Sequence, residues 1–97
     1  MMEEAQISEV MDILQEECAE VIQAVSKIRR FGFETRWPEE GPTNRFHLET
    51  EIGDLIAMVD ILVERGIVSD SSINLARQKK KEKLKTWSRI YESTPAN

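Results

Sequence analysis

Apolar side chains recur every three or four positions along three stretches of the chain, which is the period of an α-helix with one buried face. The stretches run from about residue 3 to 31, from about 43 to 66 and from about 70 to 91. Signals for β-strands are weak in comparison. The pattern predicts an all-α fold, in which three main helices form an antiparallel bundle.

Residue types that start and stop helices lie at the ends of these stretches. Thr43 or Asn44 can cap the second helix, and Ser69 can cap the third. Gly32 and Gly66 are suited to end the first and second helices. The local signals therefore agree with the apolar periodicity.

Two prolines and a glycine fall in the segment FETRWPEEGPTN, between the first two helices. We expect a loop over about residues 32–43, which is longer than most connections. The tail, residues 93–97, is expected to fray. With 97 residues the chain forms one domain, residues 1–97.

Apolar residues cover about two thirds of the circumference of the second helix, instead of one stripe. Three helices in a chain of 97 residues can hardly cover both sides of it. We therefore expect the bundle to be completed by dimerisation.

Some acidic side chains lie on the apolar sides of the helices, as an advance of about 100° per residue shows. Glu17 borders the apolar stripe of the first helix, and Glu20 lies farther round. Glu51 and Asp54 fall among apolar residues of the second helix, away from its acidic, solvated face. Because burying an unpaired carboxylate costs several kcal/mol, these acids need partners.

Each of the two acidic pairs has a spacing of three residues, so its side chains project from neighbouring turns of one side of a helix. Packing the two helices together brings four carboxylates to one place. Hard divalent ions such as Mg²⁺ or Mn²⁺ prefer oxygen ligands of this kind. The alternative is a set of salt bridges from these acids to Lys80, Lys83 or Arg65.

Net charge and hydropathy exclude several classes of partner. The formal charge of −5 and the pI near 4.9 argue against nucleic acid or an anionic membrane as the main target. The N-terminal segment lacks the apolar run of a signal peptide, and no stretch approaches the length of a membrane span. We therefore expect a cytoplasmic protein.

Three single residues carry weaker signals. Cys18 is the only cysteine, which excludes an internal disulfide, and its place on the apolar stripe indicates core packing rather than a nucleophile. His47, in the first turn of the second helix, suits a surface or capping position. Trp37, in the long loop, either stacks on a nucleobase or packs over the helix ends.

The motif EECAE, followed some thirty residues later by EIGD, resembles the EExxE and ExxD signature of the MazG-like nucleoside triphosphate pyrophosphohydrolases. These enzymes belong to the all-α NTP pyrophosphatase superfamily. The segment SKIRRFG and the lysine-rich third helix resemble the short, phage-type members, which would place the protein in a host cytoplasm. The resemblance implies cleavage of a nucleoside triphosphate to the monophosphate and pyrophosphate, by a dimer or a dimer of dimers.

The resemblance also assigns roles to individual residues. It implies that the magnesium ligands are Glu17, Glu20, Glu51 and Asp54. Glu16 would be either a peripheral ligand or an acid that supports the ligands without binding the metal. We expect the triphosphate to contact Lys27, Lys80 and Lys83, and the base to lie between helices or under the loop of Trp37.

The leading hypothesis is a Mg²⁺-dependent enzyme acting on a free nucleotide, for which a purine deoxynucleotide such as dGTP or dATP is our guess. Mn²⁺ is a possible substitute for Mg²⁺. A first alternative is a related pyrophosphatase that cleaves dUTP or phosphoribosyl-ATP. A second alternative is a helical interaction module that dimerises without catalysis.

Overall fold

The computed structural model describes residues 3–93, which form three helices. The helices are α1 (Glu4–Phe31), α2 (Asn44–Glu64) and α3 (Asp70–Trp87). Residues 3–93 contain no strand, and their one β-bridge joins Arg36 to Thr43. The predicted all-α fold of three helices is confirmed. The tail for which we predicted fraying lies outside the described residues, apart from Ser93.

The helix boundaries follow the predicted caps. The side chains of Thr43 and Ser69 each accept a hydrogen bond from the main-chain N–H three residues on, at 3.1 and 3.3 Å. Gly32 and Gly66 adopt φ angles of 94° and 72°, which side chains with a Cβ rarely tolerate. These two glycines therefore allow the chain to leave α1 and α2.

Helices α1 and α2 pack side by side as an antiparallel hairpin. Val10 near the start of α1 is buried against Met58 and Leu62 near the end of α2. At the other end of the hairpin, next to the long loop, Ala24 and Ile28 are buried. The middle of the hairpin lies between these two apolar regions, and it is there that both acidic pairs occur.

The packed side of α1 is centred on Val10, Ile28 and the half-buried Glu17. The expectation that Cys18 packs in the core is wrong, because its side chain is exposed. Successive side chains point about 100° apart around a helix. Since the main packing partner of α1 is α2, Cys18 is turned away from the contact that covers Glu17.

The loop between α1 and α2 is tied across its neck by main-chain hydrogen bonds. The N–H groups of Asn44 and Arg45 donate to the carbonyls of Thr35 and Phe33, both at 2.9 Å. The buried Asn44 side chain adds a bond from Nδ2 to the Gly32 carbonyl at 3.0 Å. The long loop is therefore an ordered structure that holds its residues beside the ends of the hairpin.

Helix α3 ends at Trp87, before the position near Tyr91 that the apolar pattern predicted. The backbone of Ser88 is extended, which ends the helix there. The Ser88 N–H makes the last helical hydrogen bond, to the Leu84 carbonyl, and the Ser88 Oγ donates to the same oxygen. None of the residues of α3 is buried. The third helix thus runs beside the hairpin only near its start, where Ile73 and α2 residues line a shallow cavity.

The chain exposes more surface than a compact monomer does. Its accessible area is 8268 Å². A folded monomer of this mass is expected to expose about 5,700 Å². None of the described helices is long and apolar enough to span a membrane.

Candidate metal centre

Four carboxylates meet in the middle of the α1–α2 hairpin. They come from two residues of α1 and two of α2, and their ligand atoms lie within 4.8 Å of one another: Glu17, Glu20, Glu51 and Asp54. The spacing of three residues places each pair on adjacent turns, and the antiparallel packing sets the pairs against each other. The four predicted metal-binding residues are thus brought together.

Two members of this acidic cluster are half-buried on the packed faces of the hairpin. Glu17 and Glu51 each keep a buried carboxylate oxygen, Oε2, that has no hydrogen-bond partner among the described residues. Glu20 and Asp54 are exposed beside them. A buried oxygen without a donor is unfavourable unless a cation or another donor satisfies it.

The pKa of Glu51 rises from its ordinary value of 4.5 to about 6. The largest cause is the hydrogen bond that a protonated Glu51 makes with Glu20, followed by burial and by the charges of Glu20, Asp54 and Glu17. Burial also raises the pKa of Glu17, with the charges of Glu20 and Asp54 adding to it. The cluster therefore resists carrying four negative charges, and a bound cation would favour the ionised carboxylates.

The described residues do not neutralise the cluster with salt bridges. The ion pairs in residues 3–93 join Arg45 to Glu34, Lys85 to Glu82 and Arg89 to Glu92. The alternative in which Lys80, Lys83 or Arg65 pairs with the four acids is therefore not realised within one chain. An oxygen-rich site of this kind fits Mg²⁺ or Mn²⁺.

A cavity of about 220 Å³ opens beside Glu20 and Glu51. We call it the acidic cavity; its other lining residues are Gln23, Ala24, Lys27 and His47. Lys27 lines it, two turns along α1 from Glu20. His47 lines it as well, and its ring is half-buried. The sequence interpretation assigned His47 to the surface or to a cap. His47 precedes Glu51 by four residues, so the two side chains lie one turn apart on the same side of α2. This spacing is the sequence signal that could have placed His47 beside the acidic cluster.

A second cavity, of about 320 Å³, adjoins the first and shares Lys27 and His47 with it. It lies between the end of α1, the start of α2 and the long loop. We call it the aromatic cavity; its other lining residues are Phe31, Thr35, Arg36, Trp37 and Asn44. Trp37, expected either to bind a base or to cover helix ends, is 84% exposed at this cavity.

The remaining predicted residues lie outside the acidic cluster. Glu16 is exposed next to Glu17 and is not one of the four clustered acids. Its charge contributes least to the raised pKa of Glu17. Lys80 and Lys83 are exposed on α3, and neither lines the acidic or the aromatic cavity.

Comparison with known protein families identifies the family of this chain. Residues 5–86 match the model of the MazG nucleotide pyrophosphohydrolase domain. The chain belongs to the MazG family. No curated protein and no solved structure gave a significant match. The match covers both acidic pairs and the long loop, and it confirms the resemblance seen in EECAE and EIGD. The phage-type relationship stays a prediction.

Membership of the MazG family gives the acidic cluster a general chemical meaning. The family consists of nucleotide pyrophosphohydrolases, which depend in general on a divalent metal ion. In this MazG domain the half-buried Glu17 and Glu51, with the exposed Glu20 and Asp54, form the group of acids that could hold such an ion.

Proposed function

We propose that this MazG domain hydrolyses a free nucleoside or deoxynucleoside triphosphate to the monophosphate and pyrophosphate, with Mg²⁺ as its cofactor. The observation that carries the proposal is the acidic cluster, in which Glu17 and Glu51 each leave a buried oxygen without a donor. Neighbouring protein groups do not relieve this arrangement, whereas a divalent ion would.

The four clustered acids would hold the metal through carboxylate oxygens, with Mn²⁺ able to replace Mg²⁺. When bound, the metal supplies positive charge to the phosphates and makes a water molecule more acidic. This explains how a chain with a formal charge of −5 can bind a polyanion.

The residues around the cluster supply the other steps. A carboxylate of Glu17 or Glu20 orients the attacking water and accepts a proton from it. The water oxygen forms a bond to the α phosphorus, the bond from that phosphorus to the bridging oxygen breaks, and pyrophosphate leaves with the bridging oxygen. Lys27, on the wall of the acidic cavity, donates hydrogen bonds to phosphate oxygens and so holds the triphosphate in position for attack by the water.

We also propose that the functional form is a homodimer or a dimer of dimers. The chain exposes roughly 2,600 Å² more than expected for its mass, which is the scale of surface that a stable obligate interface covers. Helix α3 has no buried residue, and Ile56 of α2 is 53% exposed on the side away from α1. A second copy would cover these surfaces.

Charge distribution supports a role for α3 in such a dimer. Residues 3–66 contain 15 acidic and 6 basic side chains, whereas residues 67–93 contain 3 and 7. A basic helix lying across the acidic hairpin of the other protomer would bring Lys80 and Lys83 towards the triphosphate. This arrangement would reconcile their predicted role with their distance from the acidic cavity of their own chain.

The deciding experiment is an incubation with the four ribo- and four deoxyribonucleoside triphosphates, with and without Mg²⁺. We expect pyrophosphate and monophosphate in equal amounts, only with the metal, and a preference for purine deoxynucleotides. Two additional substrates, dUTP and phosphoribosyl-ATP, test the related pyrophosphatases. Release of inorganic phosphate, or no product from any substrate, would refute the proposal. Light scattering at micromolar concentration tests the dimer separately, and a monomer would contradict it.

A further inference from the structure

We infer that the aromatic cavity binds the nucleobase of the substrate and that Trp37 stacks on it. This inference rests on the proposed function, because it identifies where the base of the same substrate lies. The cavity and the acidic cavity share Lys27 and His47. A ligand with an anionic end and a flat, apolar end can therefore extend from one to the other without leaving the protein surface.

The size of the aromatic cavity suits one base. Its volume of about 320 Å³ is at the lower end of the range for small-ligand sites, about 300–1,000 Å³. The phosphates would remain outside it, beside the acidic cluster. Lys27, at the shared wall, would then contact the part of the ligand where the phosphate chain begins.

Trp37 is held in place without being buried. The neck of its loop is closed by bonds from Asn44 and Arg45, and the Arg36 side chain donates to the Gly41 carbonyl at 2.8 Å. The indole nevertheless keeps 84% of its surface exposed. An exposed indole on a tied loop contributes little to the core, but it is preorganised to stack on a planar ligand at low entropic cost.

Three of the polar side chains that line the cavity are already engaged with the main chain. The Thr35 hydroxyl donates to the Phe31 carbonyl, and the Asn44 amide donates to the Gly32 carbonyl. Arg36 is likewise engaged with Gly41. Lys27 and His47 lie at the wall shared with the acidic cavity, on the side of the phosphates, so stacking on Trp37 is the main interaction with the base. Because every base has a π-face, Trp37 serves all four, and larger purines gain most.

The two tryptophans of the chain allow a direct optical test, since Trp87 lies on α3 and is equally exposed, at 82%. In a Trp87→Phe protein the emission reports Trp37 alone. Titration with deoxyadenosine monophosphate should quench this emission to saturation, whereas inorganic tripolyphosphate should not. In the Trp37→Phe protein, where Trp87 is the reporter, the same nucleotide should cause no quenching. Unchanged Trp37 emission, or equal quenching by tripolyphosphate, overturns the inference.

Kinetics give a second, independent readout. Trp37→Ala should raise KM for each triphosphate by roughly 5- to 150-fold, the range for loss of one stacked base, with kcat little changed. Inhibition by tripolyphosphate should stay as in the wild type, and Trp37→Phe should restore most of the affinity. The matched control, Trp87→Ala, should keep the wild-type KM. Equal KM values for Trp37→Ala and the wild type would overturn the inference.

The two proposals fail in different ways. If no triphosphate is hydrolysed, the proposed function fails, while quenching of Trp37 by the monophosphate still decides whether the aromatic cavity binds a base. If triphosphates are hydrolysed and Trp37 responds in neither experiment, the function stands and the base binds elsewhere.

Discussion

Glu51→Gln changes the acidic cluster with the least change in shape. The substitution keeps the size of the side chain and removes one of four charges whose ligand atoms lie within 4.8 Å of one another. At pH 7 a carboxyl with a pKa of about 6 is ionised in about nine molecules of ten, so the wild type offers four carboxylates to a cation and the variant offers three.

The expected result differs with and without metal. At a Mn²⁺ or Mg²⁺ concentration of a hundred times Kd, binding stabilises the wild type by about 2.7 kcal/mol, which raises Tm by roughly 10–20 °C for a domain of this size. Glu51→Gln should lose most of this rise. Without metal, the variant should melt at the same temperature as the wild type or higher. The buried oxygen of Glu51 accepts no hydrogen bond from the described residues, so the substitution removes a charge there without breaking a hydrogen bond to this oxygen.

Thermal unfolding followed by circular dichroism, in EDTA and in a metal titration, measures both effects at one fixed protein concentration. Glu49→Gln is the matched control, since Glu49 is an exposed acid of the same helix and lies outside the cluster. It should keep the full metal response. A rise in Tm of Glu51→Gln equal to that of the wild type, or a clear loss of stability in EDTA, would refute the reasoning.

Three further predictions follow from the same contacts. The pKa of Glu51 in the folded protein lies above its ordinary value, so its contribution to the stability of the metal-free protein is present below pH 4.5 and is lost as pH rises through about 6. Metal binding has the opposite dependence, because the metal needs the ionised carboxylate. Calorimetry should therefore show the Kd for the metal rising about tenfold from pH 7 to pH 5. Asn44→Ala removes a side chain that is only 7% exposed and its bond to Gly32, and should cost about 1–2 kcal/mol in urea unfolding. Leu62→Ala, at the most buried core position described, should cost about 2–5 kcal/mol in the same assay, and a cost below 1 kcal/mol would mean that the hairpin core is not the main source of stability.

Helix starts and stops were predictable because they depend on a few neighbouring residues. Thr43 and Ser69 cap their helices through groups three residues away, and Gly32 and Gly66 end helices through their own φ angles. The exception is the end of α3, where the extended backbone of Ser88 ends the helix before the apolar pattern does. Periodicity describes a face of a helix and does not locate its last turn.

The acidic pairs were predictable for a similar local reason, since a spacing of three residues places two side chains on adjacent turns whatever surrounds them. Sequence also indicated that Glu51 lies away from the solvated face of its helix. It could not tell which sector of each helix the neighbouring helix covers. That sector places Glu17 in the contact and leaves Cys18 exposed.

Tertiary structure alone decided which distant residues share a site. The antiparallel packing of α1 and α2 brings Lys27 and His47 to the wall common to the acidic and aromatic cavities, and the tied loop sets Trp37 beside them. It also leaves Lys80 outside both cavities, because α3 buries no residue against the hairpin. A sequence determines directions around each helix axis, whereas the distances between axes depend on packing across the whole chain.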